Sequence, residues 1–575
     1  MAENTPSSDV ADTALPLLVP TKTFALVASI LSMSWPIALS QFVLWLQSFF
    51  TMWLLGTSAK LSMAAYGLAN VLCNVTGHCL LWGIGAGLDT LVSQAWGARE
   101  YRAIGLYMQR VLLILTLLVN LPVVAIWFNA TPLLVGLGQD PNVADKVAAY
   151  ARWRTIGLFM QGPVCVLQKT LQAMGKTRAV AFAGVTGVAF SMSFSWLLMA
   201  SASPAARWLA HQGIDVVGSS AIAASAVDTA GALILVAFAV CDRDCRRCWP
   251  GWSVQCWRGW AAYLRLAVPA LLMGIFEWWS WDIVNFLSGL CHDATGQHDP
   301  QTSLATNALL GNIISLAYCL PIGLQTGTQT LVGNALGSQS PESAKGVARV
   351  GMAMGCLVMV AQAAALVALR GVWAHLFTAE PAVGQYVTAL IPWVVLFNGG
   401  DGVQIVLSGV ITGAGKQALT TPVLCLAYWV LGLPLGSVAA FYKPRNGLLG
   451  LWWGMTIAVW LHVLSYLFIC FAHPHVRRFS IDWEQAAQLA TDRLAEPAAD
   501  AASAGALSRA DEGGGSGVLG DLGGTTSINA SPPAAWRHAR APLLAADAQA
   551  GEAQPQTRST THAGTHCEAV YRIES

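Results

Sequence analysis

The sequence predicts an all-α integral membrane protein of about twelve transmembrane helices, arranged as two pseudo-symmetric six-helix lobes. Three observations lead there. Of 575 residues, 55% are hydrophobic and only 11% charged, whereas ordinary soluble domains carry roughly 25% charged residues. Apolar runs divided by charged or Gly/Pro breaks recur about twelve times, each close to the ~20 residues that cross a bilayer as a helix. Finally, the halves repeat. Thr90-Leu-Val-Ser-Gln-Ala-Trp-Gly97, after the second span, matches Thr330-Leu-Val-Gly-Asn-Ala-Leu-Gly337, after the eighth, at an offset of 240 residues. The same offset relates Met174-Gly175-Lys176, after span 4, to Ala414-Gly415-Lys416, after span 10. An even number of spans separates the copies, so the halves share one orientation, as in transporters built from parallel repeats.

Span centres fall near Gln41, Cys79, Leu115, Pro163, Phe190 and Ser225, then Ile283, Ile314, Val360, Leu396, Leu431 and Val459. The resulting plan is a tail 1–24, a first lobe 25–242, a linker 243–262, a second lobe 263–475 and a tail 476–575. Orientation follows from Lys/Arg bias in short loops. With the N-terminus inside, fourteen basic residues lie on cytoplasmic segments and six on outer ones, which places both termini in the cytoplasm; Arg152 and Arg154, near the outer start of span 4, pull slightly the other way. No basic region precedes a short apolar core at the start, so no cleaved signal is expected. Asp482 and Gln485 have capping-box spacing at the head of a short amphipathic helix running to Glu496. Beyond it, 497–575 are Ala/Gly/Ser/Pro-rich without an apolar period, and disorder is expected. Cys241, Cys245, Cys248 and Cys256 do not have zinc-finger spacing and read as reduced thiols, with lipidation beside the membrane as a further use. A net charge of +1 and the absence of a basic domain argue against a nucleic-acid partner.

Charge inside the spans singles out candidate functional residues. A carboxylate at membrane depth costs roughly 2.5–3.5 kcal/mol on insertion scales, so acids kept there face a cavity and handle ions, protons or cations. Span 7 reads Ile275-Phe-Glu-Trp-Trp-Ser-Trp-Asp282. Glu277 and Asp282 stand about 140° apart around the helix, so they do not share a face. Glu277 lies with Ser280 and Trp281, and Asp282 with Trp278; the tryptophans offer cation–π surfaces or serve as interface anchors. Span 10 carries Asp401 with Asn398, Gln404 and Ser408 in one polar stripe, after Pro392 and Gly399-Gly400, which permit a kink or close helix approach. Neutral groups stand in span 8 (Asn312, Ser315), span 1 (Gln41, Trp45, Ser48) and span 2 (Asn70, Asn74, His78), suited equally to lining a cavity or bonding helix to helix. Asp89, near the cytoplasmic end of span 2, reads as a gate or structural acid. Asp228 in span 6 has no partner legible in sequence, and no intramembrane basic stripe stands out.

No catalytic constellation and no G-x-x-x-x-G-K-[ST] loop occurs. An enzyme is not expected, and an ion gradient must supply any energy for transport.

Seven pieces, in order, resemble the multidrug and toxin extrusion family, closest to its eukaryotic branch. They are P-I-A-L-S-Q at 36–41, N-V-T-G at 74–77, L-D-T-L-V-S-Q-A-W-G-A at 88–98, C-W-P-G-W-S-V-Q-C-W at 248–257, E-W-W-S-W-D-I-V-N-F-L-S-G at 277–289, L-V-G-N-A-L-G at 331–337 and G-A-G-K-Q at 413–417. The resemblance covers about residues 25–475. It implies two six-helix lobes arranged as a V and antiport of small organic cations, drugs or xenobiotics against protons ahead of sodium, with no other cofactor. It also implies a monomer in a plasma, vacuolar or acidic-organelle membrane. The family's second-lobe acids map onto Glu277, Asp282 and Asp401, and its polar positions in spans 1 and 2 onto Gln41 and Asn74. The residues expected to bind proton or cargo are therefore Glu277, Asp401, Asp282, Asn312, Gln41, Asn74, Trp278, Trp281 and Gln404. Three departures matter: Asn312 replaces a glutamate common in animal members, Asp282 stands where Glu is usual, and span 1 has Gln41 and no acid. Coupling through the second lobe is the expectation. Rival readings are a same-fold exporter of anions such as citrate or flavonoid conjugates, and a lipid-linked flippase; both call for a basic cavity.

Overall fold

The computed structural model describes residues 22–56, 60–200, 203–291, 299–377, 380–442, 446–471 and 480–495. The stretch 497–575, most of the N-terminal tail, and Lys443, Arg445, Arg477 and Arg478 lie outside the described residues. The described residues form helices and no strand.

The first half comprises α1 (Thr23–Gly56), α2 (Lys60–Cys73), α3 (Cys79–Gly85), α4 (Gly87–Gly97), α5 (Tyr101–Ile114), α6 (Leu121–Phe128), α7 (Ala130–Gly136), α8 (Pro141–Ala173), α9 (Thr177–Met199), α10 (Pro204–His211) and α11 (Val216–Cys241). Short α12 (Arg243–Cys248) lies between the halves. The second half comprises α13 (Trp260–Ser288), α14 (Pro300–Gly337), α15 (Pro341–Ala368), α16 (Arg370–Phe377), α17 (Pro381–Ala414), α18 (Gln417–Leu424), α19 (Leu433–Phe441) and α20 (Leu448–Phe471). A last helix, α21, covers 483–495. Wide π turns at Asn74–His78, Leu115–Asn120 and Cys425–Gly432 join α2 to α3, α5 to α6 and α18 to α19.

Among the described residues, eleven rods are long and apolar enough to cross a membrane. The twelfth expected span is α8, whose 33 residues reach about 50 Å at ~1.5 Å per residue. It is too polar to count by composition because it carries Asp145, Lys146, Arg152, Arg154 and Lys169. Helix starts follow local chemistry. Asp140 accepts from the amides of Asn142 and Val143 ahead of Pro141, and Asp299 accepts from that of Thr302 ahead of Pro300; both are N-caps followed by a proline suited to the first turn. The repeated glycines after spans 4 and 10, Gly175 (φ 77°) and Gly415 (φ 68°), adopt the left-handed conformation that ends a helix.

Each half buries its own apolar core, and each half's first helix leans on the other. Leu26, Ile30 and Met33 of α1 join the second-half core. Tyr263 and Ala267 of α13 join the first-half core, where the Tyr263 hydroxyl donates to the Ile84 carbonyl at 2.5 Å.

At one end the halves close on each other through the repeated motif itself. A β-carbon on Gly97 would come within 2.2 Å of the Asn334 carbonyl oxygen, and one on Gly337 within 2.0 Å of that of Gln94. Gln94 and Asn334 are themselves repeat mates, as are the two glycines. The hydroxyl of Thr90 donates to the Thr412 carbonyl at 2.5 Å, and its mate Thr330 donates to that of Gln172, the mate of Thr412, at 3.1 Å. Gln94 adds a bond to the Gly413 carbonyl at 3.0 Å. This seal is a two-fold arrangement of backbone-to-backbone contacts, which only glycine permits at those positions.

Candidate functional site

Gln404, in the polar stripe of α17 one turn after Asp401, organises the acids of the second lobe. Its side-chain amide donates to Glu277 Oε1 at 2.9 Å and to Asp401 Oδ1 at 3.2 Å. One NH₂ group thus ties a carboxylate of α13 to one of α17. Asp401 and Gln404 are buried, held by α17 in the densest part of the lobe. Among the described residues, no Lys, Arg or His forms an ion pair with Glu277 or Asp401. Asn398, one turn back, donates to Gln362 at 3.4 Å and extends the network to α15.

Glu277 and Trp278 open onto a cavity of about 640 Å³ between the halves, reached from the first half by Gln41, Asp89 and Lys169. Gln172, Gln329 and Thr412 line it toward the seal. A second cavity of about 430 Å³ lies in the first half, lined by Asn70, Asn74, His78, Tyr150, Arg154 and Gln161. Asn74 and His78 sit on the π turn that breaks span 2, an irregularity often found at functional positions. Asp282 faces this second cavity rather than Glu277, as the helical geometry of span 7 requires.

Several candidate positions are placed elsewhere. Trp281 packs edge-on against Phe397 and Trp452, with ring centroids at 5.1 and 5.7 Å; it belongs to the second-half core and lines neither cavity. Sharing a helical face with Glu277 was not enough, because α17 and α20 cover that flank of α13. Asn312 is exposed, with its side chain bonded to the Ala308 carbonyl at 3.1 Å and its own carbonyl accepting from Trp45 at 3.3 Å. It marks a contact between α1 and α14 away from the bridged acids.

Two basic residues inside the spans correct the expectation of a cavity without intramembrane cations. Arg154, read in sequence as lying near an outer loop, is paired with Asp228, which also accepts from Gln161 at 3.3 Å. Lys169 lies 2.6 Å from Asp89, and that acid is 5% exposed. Each cation is on α8 and each acid on a neighbouring rod, so both pairs stitch the first half. The signal was present in the sequence: four basic residues on a helix otherwise long enough to span, with unpartnered acids in spans 2 and 6. Tyr318, another wall of the inter-half cavity, left no such signal.

A twelve-rod helical repeat with polar cavities between and within its halves defines a multi-pass membrane transporter, not an enzyme. The MatE family model matches residues 36–197 and 269–438, and the chain belongs to that family. It is 29% identical over 439 residues to Protein DETOXIFICATION 16 of Arabidopsis thaliana, covering 76% of this chain and 85% of the relative. It is 28% identical to Multidrug and toxin extrusion protein 1 of Danio rerio, covering 81% and 74%. Its fold superposes on the eukaryotic MATE transporter AtDTX14 with a TM-score of 0.72 at 23% identity, covering 82% of this chain and 99% of the other.

Proposed function

We propose that this transporter exports small organic cations in exchange for protons, through the acids of its second lobe. The observation that carries this reading is the Glu277–Gln404–Asp401 bridge, one carboxylate on a cavity wall tied to a second buried behind it, with no basic ion-pair partner among the described residues. A cation and protons compete for one pair of carboxylates, so loading one species expels the other. Differential affinity of the two lobe arrangements then couples the exchange to movement. Arg154 and Lys169 do not reverse the sign of the cavities, because Asp228 and Asp89 neutralise them in place. The names of the relatives, detoxification and multidrug and toxin extrusion, support export of drugs and toxins, and the cationic charge of the cargo rests on the acids alone. With both termini cytoplasmic, the seal falls on the cytoplasmic side and the cavities belong to the releasing state. The protein acts as a monomer in a plasma, vacuolar or acidic-organelle membrane.

A second reading, export of organic anions, is favoured by one observation: both cavities carry a cation in their walls. Proteoliposomes under an imposed pH gradient separate the two. Uptake of a fluorescent cation is expected and should fall to the level of empty liposomes in the Glu277→Gln, Asp401→Asn double variant. Unchanged uptake in that variant sinks the proposal, and gradient-driven uptake of an anionic dye in its place establishes the alternative.

A further inference from the structure

Helix α21 is not part of either lobe, yet it belongs to the core of both. Ala486, Ala487 and Ala490, with Ile481 just before the helix, are buried in the second-half core, and Leu494 is buried in the first-half core. These positions recur every three or four residues, while Glu484, Gln485, Gln488, Thr491 and Asp492 are exposed, so one apolar stripe lies across the seam. Asp482 starts the helix by accepting from the Gln485 amide at 3.2 Å.

Polar contacts repeat the pattern. The Arg493 guanidinium donates to Gln94 Oε1 of α4 at 3.0 Å and to the Gly415 carbonyl beyond α17 at 3.1 Å. One side chain therefore grips both halves at the seal. The Tyr107 hydroxyl of α5 donates to the Arg493 carbonyl at 3.0 Å, and from the other half Gln339 donates to the Ala487 carbonyl at 2.7 Å and to the Thr491 hydroxyl at 2.6 Å. Gln339 holds a left-handed backbone (φ 56°), an arrangement a residue other than glycine adopts at a cost. Arg493 meets amide and carbonyl oxygens, and among the described residues no acid pairs with it. Gln94 is also one of the repeat residues of the seal itself, so α21 grips the residue that must move when the halves part.

We propose that α21 is an intramolecular latch, seated on a two-sided socket formed by α4, α5 and the ends of α14 and α17, that holds the sealed end shut and limits how often it opens. Parting the halves there separates Gln94 from Gly415 and strips Arg493 of at least one partner. It also pulls Leu494 or the alanine stripe out of a core. The latch adds to a seal that the two-fold contacts already form, so it sets the rate and extent of opening and leaves the route of cargo unchanged.

Spin labels at Glu100 and Ser338, exposed positions on either side of the seam, report the separation of the halves in full-length protein reconstituted in lipid. Arg493→Ala is expected to raise the ratio of parted to closed molecules about tenfold, as befits hydrogen bonds from a charged group, and ending the chain after Ser480 is expected to raise it further. Arg493→Lys, which keeps the charge but not the two-pronged donor, should fall between parent and alanine variant. Label distances identical to the parent in both Arg493→Ala and the shortened chain would overturn the latch. Because this readout needs no cargo, it stands apart from the identity of the transported species. Arg493→Ala removes no cavity-lining group, so it also carries the test if the shortened chain fails to fold.

Discussion

Gln404, Arg154 and Lys169 each hold an acid that would otherwise stand alone in an apolar setting, and they differ in what removal should do. Gln404→Leu takes a donor from two carboxylates at once while leaving both acids in place. Uptake of a cation driven by a pH gradient should fall roughly tenfold, the scale of one hydrogen bond to a charged group, and normal uptake would show that the bridge does not position the acids. Arg154→Ala leaves Asp228, about one-fifth exposed, with Gln161 as its remaining donor. Breaking a fully buried pair costs about 3–5 kcal/mol, and this partly buried one should cost less, whereas neutralising both partners leaves no unpaired charge. The thermal unfolding midpoint in detergent should therefore drop in Arg154→Ala and largely recover in Arg154→Gln with Asp228→Asn. A double variant no more stable than the single would mean the pair is not coupled. Trp281 makes the complementary point: it is the tryptophan of the span-7 cluster that belongs to the core, so its truncation should show in stability before it shows in transport.

At the scale of elements, the glycine-rich ends of α4 and α14 and the short linker helix carry the tests. Gly97→Val and Gly337→Val each place a side chain where a carbonyl lies 2.0–2.2 Å from the first added carbon. Backbone has to yield, so either change should shift the labelled protein toward the parted arrangement; unchanged distances would show that the helices slide past each other freely. The linker works differently. Asp242 caps α12, accepting from the amides of Asp244 and Cys245 at 3.1 and 3.0 Å, and receives Lys176 at 2.6 Å. Burial pushes its carboxyl up, but Lys176 and the Cys245 amide outweigh that and leave it below the usual carboxylate range. Burial likewise lowers the Lys176 ammonium, and its bonds to Asp242 and Asp244 raise it above the usual value. A lowered acid stabilises above its unfolded value and loses that contribution as pH falls through the folded one; a raised base does the reverse. The tether is thus complete between about pH 4 and pH 10. Protection of the α12 amides, measured relative to their intrinsic exchange rate at each pH, should be flat across the pH range used for transport and fall only in stronger acid, and Asp242→Ala should lower it at neutral pH. Protection already lost at pH 6 in the parent protein would refute this assignment.

For the whole molecule, two-fold repetition is the organising fact. Thr90 and Thr330 occupy mated places in the seal and donate to mated carbonyls. Thr330→Val, and Thr90→Val, which also loses the bond its hydroxyl accepts from Gln417 at 2.9 Å, should then both raise the parted fraction, roughly fivefold for each neutral hydrogen bond lost. A large effect from one alone would mean that a single half controls the seal. The halves are not equivalent in charge, however. The first half carries its two internal acids as ion pairs, whereas the second carries Glu277 and Asp401 bridged by an amide. A symmetric frame therefore holds an asymmetric arrangement of charge, and it is this asymmetry that the proposed exchange through the second lobe rests on.

Hydrophobic composition, the spacing of the spans and the 240-residue offset determined the fold class and its repeat without reference to any coordinate, because each is a property of local chain chemistry repeated along its length. Helix periodicity alone also separated Asp282 from Glu277, and the stripe on span 10 pointed to Asp401 and Gln404. Partnership across helices was another matter. That Gln404 joins two acids, that Arg154 finds Asp228 and Lys169 finds Asp89, that Trp281 turns into the core, and that a helix of the tail reaches both lobes all depend on which rods become neighbours. Apart from Gln404 and Asp401, which are one turn apart, the residues that meet in these contacts are 74 to 399 positions apart in sequence, and no local pattern encodes the meeting. The repeated Thr90 and Thr330 motifs were legible from the start as copies; only packing decided that the two copies face each other and close the protein at one end.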